Sequence, residues 1–495
     1  MSVLITFLYV LAALPAAPLA FVELRMLWRF LRNRSAIHAA AESRVPAVTV
    51  GASGNGGPAP SVTVQIPLYN ERMTAERVIR AAAAQDYPRD RFDIQVLDDS
   101  TDDTQQLVAE LVDELQRTGV RIEHLHRENR KGYKAGALAD GLEHSDSEFV
   151  AIFDADFVPE RSFLRRLLIE EQAFEDPDVA FVQARWTWSD PNQGLLAAAL
   201  ALLLDRHFFI QKPTRAFVGQ VMTFNGSAGI WRRKAVEEVG GWSADTLTED
   251  LDLSYRCAFK GWRGRYVHGV AVASELPDHM RAFKIQQRRW AKGSAQCFRS
   301  LTGRVMASKG VLADRLDEVL LLAGYAIHPV LLANVLLWPW GVLYMDRTVF
   351  FVLQGLTGFA SLVSVVSFVI TVWERDGRWS VTSLTELATG ICVGIGLMVN
   401  NSAAQLQGYL VSGGEFVRTP KASSRTAGAA LRRREVTYAS PLHWTFFIEV
   451  LLVAYCVTST VLLVNAGEAL WAIPLLFWGL CVGLVVQLQM VPRPA

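Results

Sequence analysis

The chain has 495 residues, with 49 Lys+Arg balanced by 49 Asp+Glu, and 51% of its residues are hydrophobic. Zero net charge with no uniformly basic surface argues against a nucleic-acid binder. The five cysteines (Cys257, Cys297, Cys392, Cys456 and Cys481) show neither metal-like nor paired spacing. Charge is segregated: it concentrates between Arg72 and Arg315, and both ends are apolar. That pattern describes a membrane protein with an inserted polar domain on a reducing, cytoplasmic face.

Residues 3–19 are apolar, interrupted by Pro15 and Pro18, and are followed by Arg25, Arg29, Arg32 and Arg34. A signal peptide carries its positive charge before the apolar core, so this reads as an uncleaved, kinked first span with its Arg-rich end in the cytoplasm. Residues 47–61 are rich in Gly, Ala and Pro and read as a linker. Strands are then expected at 61–67, 92–97, 121–126, 148–153 and 179–188, with helices at 74–85, 104–118 and 193–210. Strand, acidic turn and helix in repetition predict an α/β domain with a mostly parallel sheet. Ligands bind such sheets beyond the carboxyl ends of the strands. Asp98-Asp99-Ser100 and Asp154-Ala155-Asp156 both fall there.

Apolar runs follow at 319–343, 349–373, 384–399, 446–464 and 470–486. Counting all of them as spans would place the 418–434 loop outside the cell. That loop carries Arg418, Lys421, Arg425, Arg432, Arg433 and Arg434, which belong inside. The 384–399 run is also shorter than the ~20 residues a span needs. It is therefore expected to be interfacial or re-entrant, leaving five spans.

Two aspartates one residue apart after a strand, Asp154 and Asp156, can hold a hard cation, Mg²⁺ or Mn²⁺, with room left for phosphate oxygens; alone they are also a common solvated turn. Asp250, at a helix start opened by Thr248 and Glu249, is a candidate base, or an ordinary capped helix N-terminus. Lys131 and Lys134 offer phosphate contacts or form a basic turn; no P-loop is present. Gln286-Gln287-Arg288-Arg289-Trp290 combines guanidiniums suited to a diphosphate with an indole suited to a sugar ring, and equally fits a basic helix lying on lipid headgroups. His207, His268, His279 and His328 lack ligand-like spacing. Asn334 and Glu386, polar groups in apolar runs, point to a bundle interior or a wet path. Trp338, Trp340 and Trp444 read as interface anchors or sugar-stacking residues.

Seven motifs occur in order: Gln65-Ile66-Pro67-Leu68-Tyr69-Asn70-Glu71, Val96-Leu97-Asp98-Asp99-Ser100, Gly132-Tyr133-Lys134-Ala135-Gly136-Ala137-Leu138, Phe153-Asp154-Ala155-Asp156-Phe157, Phe224-Asn225-Gly226, Thr248-Glu249-Asp250 and Gln286-x-x-Arg289-Trp290. This set resembles the family 2 processive glycosyltransferases, the group of cellulose, chitin and hyaluronan synthases. Val182-Gln183-Ala184-Arg185-Trp186 and Ser274-Glu275-Leu276-Pro277 are similar to the cellulose-synthase-like mannan and glucomannan branch. The resemblance implies a GT-A type nucleotide-sugar-binding domain inserted between transmembrane helices. It implies that Tyr69, Glu71 and Asp99, supported by Asp98, hold the nucleotide, and that Lys134, Asp154, Gln286 and Arg289 hold the rest of the donor. Asp154 and Asp156 would hold Mg²⁺ or Mn²⁺, and Asp250 would be the catalytic base. Phe224, Asn225 and Trp290 would bind the acceptor. A gating loop would use Phe416, Thr419 and Lys421, although Arg418 replaces the Val usual in that motif. A PilZ-like motif is missing from the region after the spans, which argues against direct cyclic-di-GMP control.

The expected organisation is 1–34, first span and basic flank; 35–60, linker; 61–276, cytoplasmic catalytic domain; 277–316, interfacial helices; 317–373, two spans; 374–443, interfacial helix and gating loop; and 444–495, two spans and the C-terminus. The expected activity is processive, inverting synthesis of a β-1,4 mannan, glucomannan or glucan from a nucleotide-diphosphate sugar (GDP-mannose or UDP-glucose), with extrusion of the growing β-glycan. The enzyme would sit in a bacterial inner or plasma membrane, or a Golgi-type membrane, with secretion partners possible and no nucleic acid. The alternatives are single transfer to a lipid carrier and a non-enzymatic scaffold.

Overall fold

The computed structural model describes residues 2–42, 58–189, 194–277, 279–417 and 442–491. The 418–434 loop, with Thr419 and Lys421, lies outside them. One eight-stranded sheet organises the polar domain: β1 (Val62–Leu68), β2 (Phe92–Asp98), β3 (Ile122–His126), β4 (Phe149–Ile152), β5 (Phe157–Val158), β6 (Val179–Trp188), β7 (Gly229–Arg232) and β8 (Arg263–Ser274), in the order β3-β2-β1-β4-β7-β6-β8-β5. β1 runs parallel to β2 and β4, and β2 to β3, while β7 is antiparallel to both β4 and β6.

Alternation along the strands sends residues to two helical layers. Ile94 and Val96 enter a core with Val78 and Ile79 of the Arg72–Ala83 helix and Val108 of the Thr104–Arg117 helix. Leu97 and Val150 face Leu138 and Leu142 of the Tyr133–Glu143 helix. Each such side chain removed from water contributes about 1.5–3 kcal/mol. The five strands expected from the sequence lie where predicted, within a residue or so at each end. The other three, β5, β7 and β8, were not anticipated. β5 and β7 are short, and β8 opens on Arg263-Gly264-Arg265 and carries Gly269, so its apolar alternation is broken. The expected 193–210 helix is observed as Leu195–Arg206, followed by a π-helical turn, His207–Gln211.

Among the described residues, five helices are long and apolar enough to cross a bilayer: Ser2–Ala40, Gly324–Tyr344, Arg347–Asp376, Thr445–Asn465 and Ala469–Met490. The first is interrupted near Pro15, and its second part, Ala16–Glu42, runs past the border expected at residue 34. Val381–Gly396 and Met398–Leu410 meet at a 46° bend, the geometry of a broken span or a re-entrant loop. The run expected as a span from 319 starts only at Gly324. Residues 312–322 form a separate helix tied to the polar domain by charge. Asp314 and Asp317 pair with Arg25 and Arg29, and Glu318 accepts from Arg215 at 2.6 Å and Tyr255 at 2.7 Å.

The 28-residue helix Met280–Ala307 joins the two bodies. Its Lys284 ammonium donates to both Glu449 carboxylate oxygens (2.7 and 2.8 Å) and to Gln489 Oε1 (2.8 Å), side chains from the last two spans. Removing one partner of a buried pair strands the other charge, at a cost of about 3–5 kcal/mol. Glu449→Ala should therefore destabilise the protein by about that amount. Thermal unfolding in detergent checks it, and an unchanged midpoint would refute the role.

Candidate active site

The carboxyl ends of β1, β2 and β4 open into one cavity of about 1140 Å³. The two acidic turns reach the same edge because β1 lies between β2 and β4 and is parallel to both. Tyr69, Glu71, Asp99, Lys134, Asp154, Asp156, Phe224, Asn225, Asp250, Gln286, Arg289, Trp290 and Phe416 all line the cavity. The fold thus gathers residues spread over more than 340 positions of sequence.

Asp98 is the exception. It turns the opposite way from its neighbour Asp99, accepting from the Ser100 N–H at 2.9 Å and standing 2.9 Å from His124 Nε2. Burial would raise its pKa, but these hydrogen bonds outweigh burial and hold it below the usual carboxylate value. Asp99 faces the cavity yet is gripped by Arg127 in a two-bonded fork of 2.8 and 2.7 Å. Arg130 lies 3.3 Å over the Tyr69 ring, a cation–π contact at the cavity wall. Arg127 and Arg130 were missed in the sequence. Their signal was position: both follow β3 at the binding edge.

Lys134 is the central cation. Its Nζ pairs with Asp154, donates to the Gly226 carbonyl at 2.9 Å and lies 3.8 Å from Glu249. Burial pulls its pKa down, but the surrounding carboxylates outweigh burial and raise it. Gly226 has φ +77°, and a Cβ there would lie 3.4 Å from both Asp250 Oδ2 and Lys134 Nζ, so glycine keeps the turn beside these groups open. Asp156 accepts from Ser274 Oγ at 2.6 Å. Asp154 and Asp156 offer only hard oxygens to the cavity, a donor set that fits Mg²⁺ or Mn²⁺.

Thr248 stands at the N-cap of the Glu249–Phe259 helix, but its side chain makes no capping bond. Its hydroxyl lies 3.4 Å from Cys297 Sγ on the joining helix. That helix approaches through Gly293, where a Cβ would come within 2.6 Å of Thr248 Cγ2. Asp250, next in the turn, is pushed up to about 7 by burial first and then by Glu249, with Lys134 opposing. Its carboxylate touches the cavity, so it retains some exposed surface. Its depth inside the protein nevertheless separates it from bulk water, and this is the origin of the shift.

Within Gln286–Trp290 the helix divides its side chains. Gln286, Arg289 and Trp290 face the cavity, and Gln287 Oε1 accepts from Tyr325 at 3.1 Å. Arg288 turns away, donating to Gln407 Oε1 at 3.0 Å and contacting His443. Gln286 Oε1 is buried without a partner, as expected of an atom that meets a ligand. Burial lowers the pKa of Arg289 against four carboxylates, Glu249, Asp154, Asp250 and Asp156, and its guanidinium lies 4.2 Å over the Phe416 ring. Phe224 is largely a core residue, set against Phe181 and Trp231 with ring centroids at 5.7 and 5.2 Å, and reaches the cavity only in part. Asn225 meets the sequence-dismissed His207 at 3.1 Å. The π-helical turn carries His207 to the cavity wall, a distortion no residue pattern announced.

The cavity continues between the spans, past Asn334, Trp338, Gln354 and Trp478. Asn334 Oδ1 there accepts from Tyr9 at 2.5 Å, so its apolar run does line a polar interior.

Asp250 also supplies a pH test. A carboxyl raised from 3.8 to about 7 stabilises the fold fully below the lower value and loses that contribution as pH rises through the upper one. Thermal unfolding between about pH 5 and 8 should show this loss in the parent and not in Asp250→Asn. Parallel curves would refute the shift.

The glycosyltransferase like family 2 model matches residues 58–293. Glucomannan 4-beta-mannosyltransferase 1 of Oryza sativa subsp. japonica is 38% identical over 295 residues, 59% of this chain and 56% of that protein. Glucomannan 4-beta-mannosyltransferase 2 of Arabidopsis thaliana is 43% identical over 258 residues, 51% of this chain and 48% of that protein. The chain thus spans about half the length of these two relatives. The protein named probable glucomannan 4-beta-mannosyltransferase 3 of Arabidopsis thaliana is 32% identical over 407 residues, covering 80% of this chain and 72% of its own length. Among solved structures, a mannosyltransferase from Pyrobaculum calidifontis in complex with GDP-Man and Mn²⁺ shares 20% identity at a TM-score of 0.47, over 79% of this chain and 98% of that one.

Proposed function

The chain belongs to the family 2 glycosyltransferases, in the cellulose-synthase-like group of the glucomannan 4-beta-mannosyltransferases, and from that premise we propose that it is a processive, inverting β-1,4-mannosyltransferase. The donor is a nucleotide-diphosphate mannose, and the acceptor is the non-reducing end of a growing β-glycan. The observation that carries this reading is the single cavity running from Asp99, Lys134 and Asp250 to side chains of the spanning helices.

In the proposed reaction an acceptor hydroxyl attacks the anomeric carbon from the face opposite the diphosphate. The new carbon–oxygen bond forms as the bond to the diphosphate breaks, and inversion converts an α-linked donor into a β-linked product. The hydroxyl proton passes to Asp250, whose raised pKa suits a base near neutral pH. Lys134 and Arg289 face the departing diphosphate and balance its charge. Asp154 and Asp156 would hold Mg²⁺ or Mn²⁺, which supplies further positive charge to the diphosphate when bound. Trp290 offers its ring to the terminal sugar at the mouth of the path between the spans. Successive additions push the chain along that path, and the catalytic domain faces the cytoplasm, where nucleotide sugars are made. Phe416, placed against Arg289 at the cavity wall, supports a contact of this segment with the donor.

The purified full chain, given Mg²⁺ or Mn²⁺ and a panel of labelled nucleotide sugars, should make an alkali-resistant β-1,4-mannan from GDP-mannose. No polymer from any donor would overturn the synthase, and a chloroform-soluble product would assign single transfer to a lipid carrier instead. Asp250→Asn should cut transfer by about 10²–10⁴-fold while leaving donor binding largely intact. Turnover near the parental rate would remove Asp250 from its role.

A further inference from the structure

The edge of the sheet carries a second cluster, outside the cavity, that the reaction does not use. Parallel pairing sets His126 of β3 beside Asp98 of β2, with His124 beside Val96. His124 and His126 are two apart on a strand, so both imidazoles leave the same face, the face that also carries Asp98. β3 is the last strand at this end of the sheet, which leaves the far side open. His124 Nε2 lies 2.9 Å and His126 Nδ1 3.9 Å from the same oxygen, Asp98 Oδ2. The three ligand atoms lie within 4.8 Å of one another, the one such grouping of His, Cys, Asp or Glu among the described residues.

A hydrogen bond between Asp98 and His124 explains only part of this. His126 Nδ1, at 3.9 Å, is beyond hydrogen-bond reach, yet it converges on the same oxygen. The other carboxylate oxygen is already occupied by the Ser100 N–H, which orients Oδ2 toward the imidazoles as a supporting hydrogen bond does in a metal site. Ligand atoms about 2.0–2.2 Å from one zinc ion stand roughly 3–4 Å apart. The observed 2.9 and 3.9 Å from Asp98 Oδ2 lie close to that spacing, and the His126 side chain is 28% exposed.

We propose that Asp98, His124 and His126 bind a transition-metal cation of the zinc class, leaving a fourth position for water. Two imidazoles and one carboxylate select such an ion over Mg²⁺, whereas the all-oxygen pair Asp154 and Asp156 has the opposite preference. Occupancy pins the Asp98–Ser100 turn, and with it Asp99 and its Arg127 fork at the rim of the donor cavity. The ion is therefore a structural brace for the nucleotide subsite.

The full chain in detergent, stripped with chelator and carrying Asp156→Asn to weaken the oxygen-only site, is titrated with zinc chloride in a calorimeter. One equivalent of zinc should bind, without competition from Mg²⁺. His126→Ala and His124→Ala should each weaken binding by at least the roughly 10–100-fold that loss of a supporting hydrogen bond alone produces. No zinc binding, or unchanged affinity in the alanine variants, overturns the site. Cobalt in the same protein gives a readout independent of the alanine variants: a low-coordinate visible spectrum supports the site, and a spectrum like that of the hydrated ion overturns it.

Discussion

Four carboxylates, Asp154, Asp156, Glu249 and Asp250, surround two buried cations, Lys134 and Arg289. Where these groups are drawn away from bulk water, this excess of negative charge is costly. The protein relieves it by pairing Lys134 with Asp154 and by raising the pKa of Asp250. In the proposed reaction a divalent cation held by Asp154 and Asp156 would relieve it further and make room for a diphosphate, which would otherwise add to the repulsion. Burial and this imbalance together raise the pKa of Asp250, and the proposed metal-assisted donor binding would ease the same imbalance. Isolated, each residue is an ordinary surface carboxylate; the shared cavity gives the set its chemistry.

The Met280–Ala307 helix is the mechanical counterpart of this charge balance. One face presents Gln286, Arg289 and Trp290 to the cavity, and Gly293 lets Thr248 and the Asp250 turn come into contact. The Lys284, Glu449 and Gln489 cluster fastens it to the last two spans. A shift of this helix would move Arg289, the Asp250 turn and the Trp290 end of the path between the spans together. The interfacial-helix reading of the stretch is thus compatible with the chemical one: the helix that would lie along the membrane surface also carries the cavity-facing residues.

Strands β1, β2, β3, β4 and β6 were legible because their apolar runs and the turns that end them are both local properties. Asp99, Asp154, Asp156, Asp250, Gln286, Arg289 and Trp290 were legible only as an ordered set of motifs. β5, β7 and β8 were hidden, because short or glycine-interrupted segments carry no clear period. Asp98 was read as a support for the nucleotide contacts; the structure turns it away from the cavity toward His124, because adjacent residues at a strand end point in opposite directions. Arg127, Arg130 and His207 were passed over because their roles arise from partners 28, 61 and 18 residues away.

By itself the sequence determined the alternation of polar and apolar segments, the parallel core of the domain, the family and most of the residues at the site. These depend on the composition and order of short segments, which folding does not alter. Only the tertiary structure decided that the donor-side residues and the path between the spans share one cavity, that Thr248 faces Cys297 and does not cap its helix, and that Arg288 turns away while Arg289 turns in. It also decided that Asp98 joins two histidines at the sheet edge. Each of these depends on which surfaces meet at distances of a few ångströms, and contact between residues far apart in the chain is fixed by packing, not by their local neighbours.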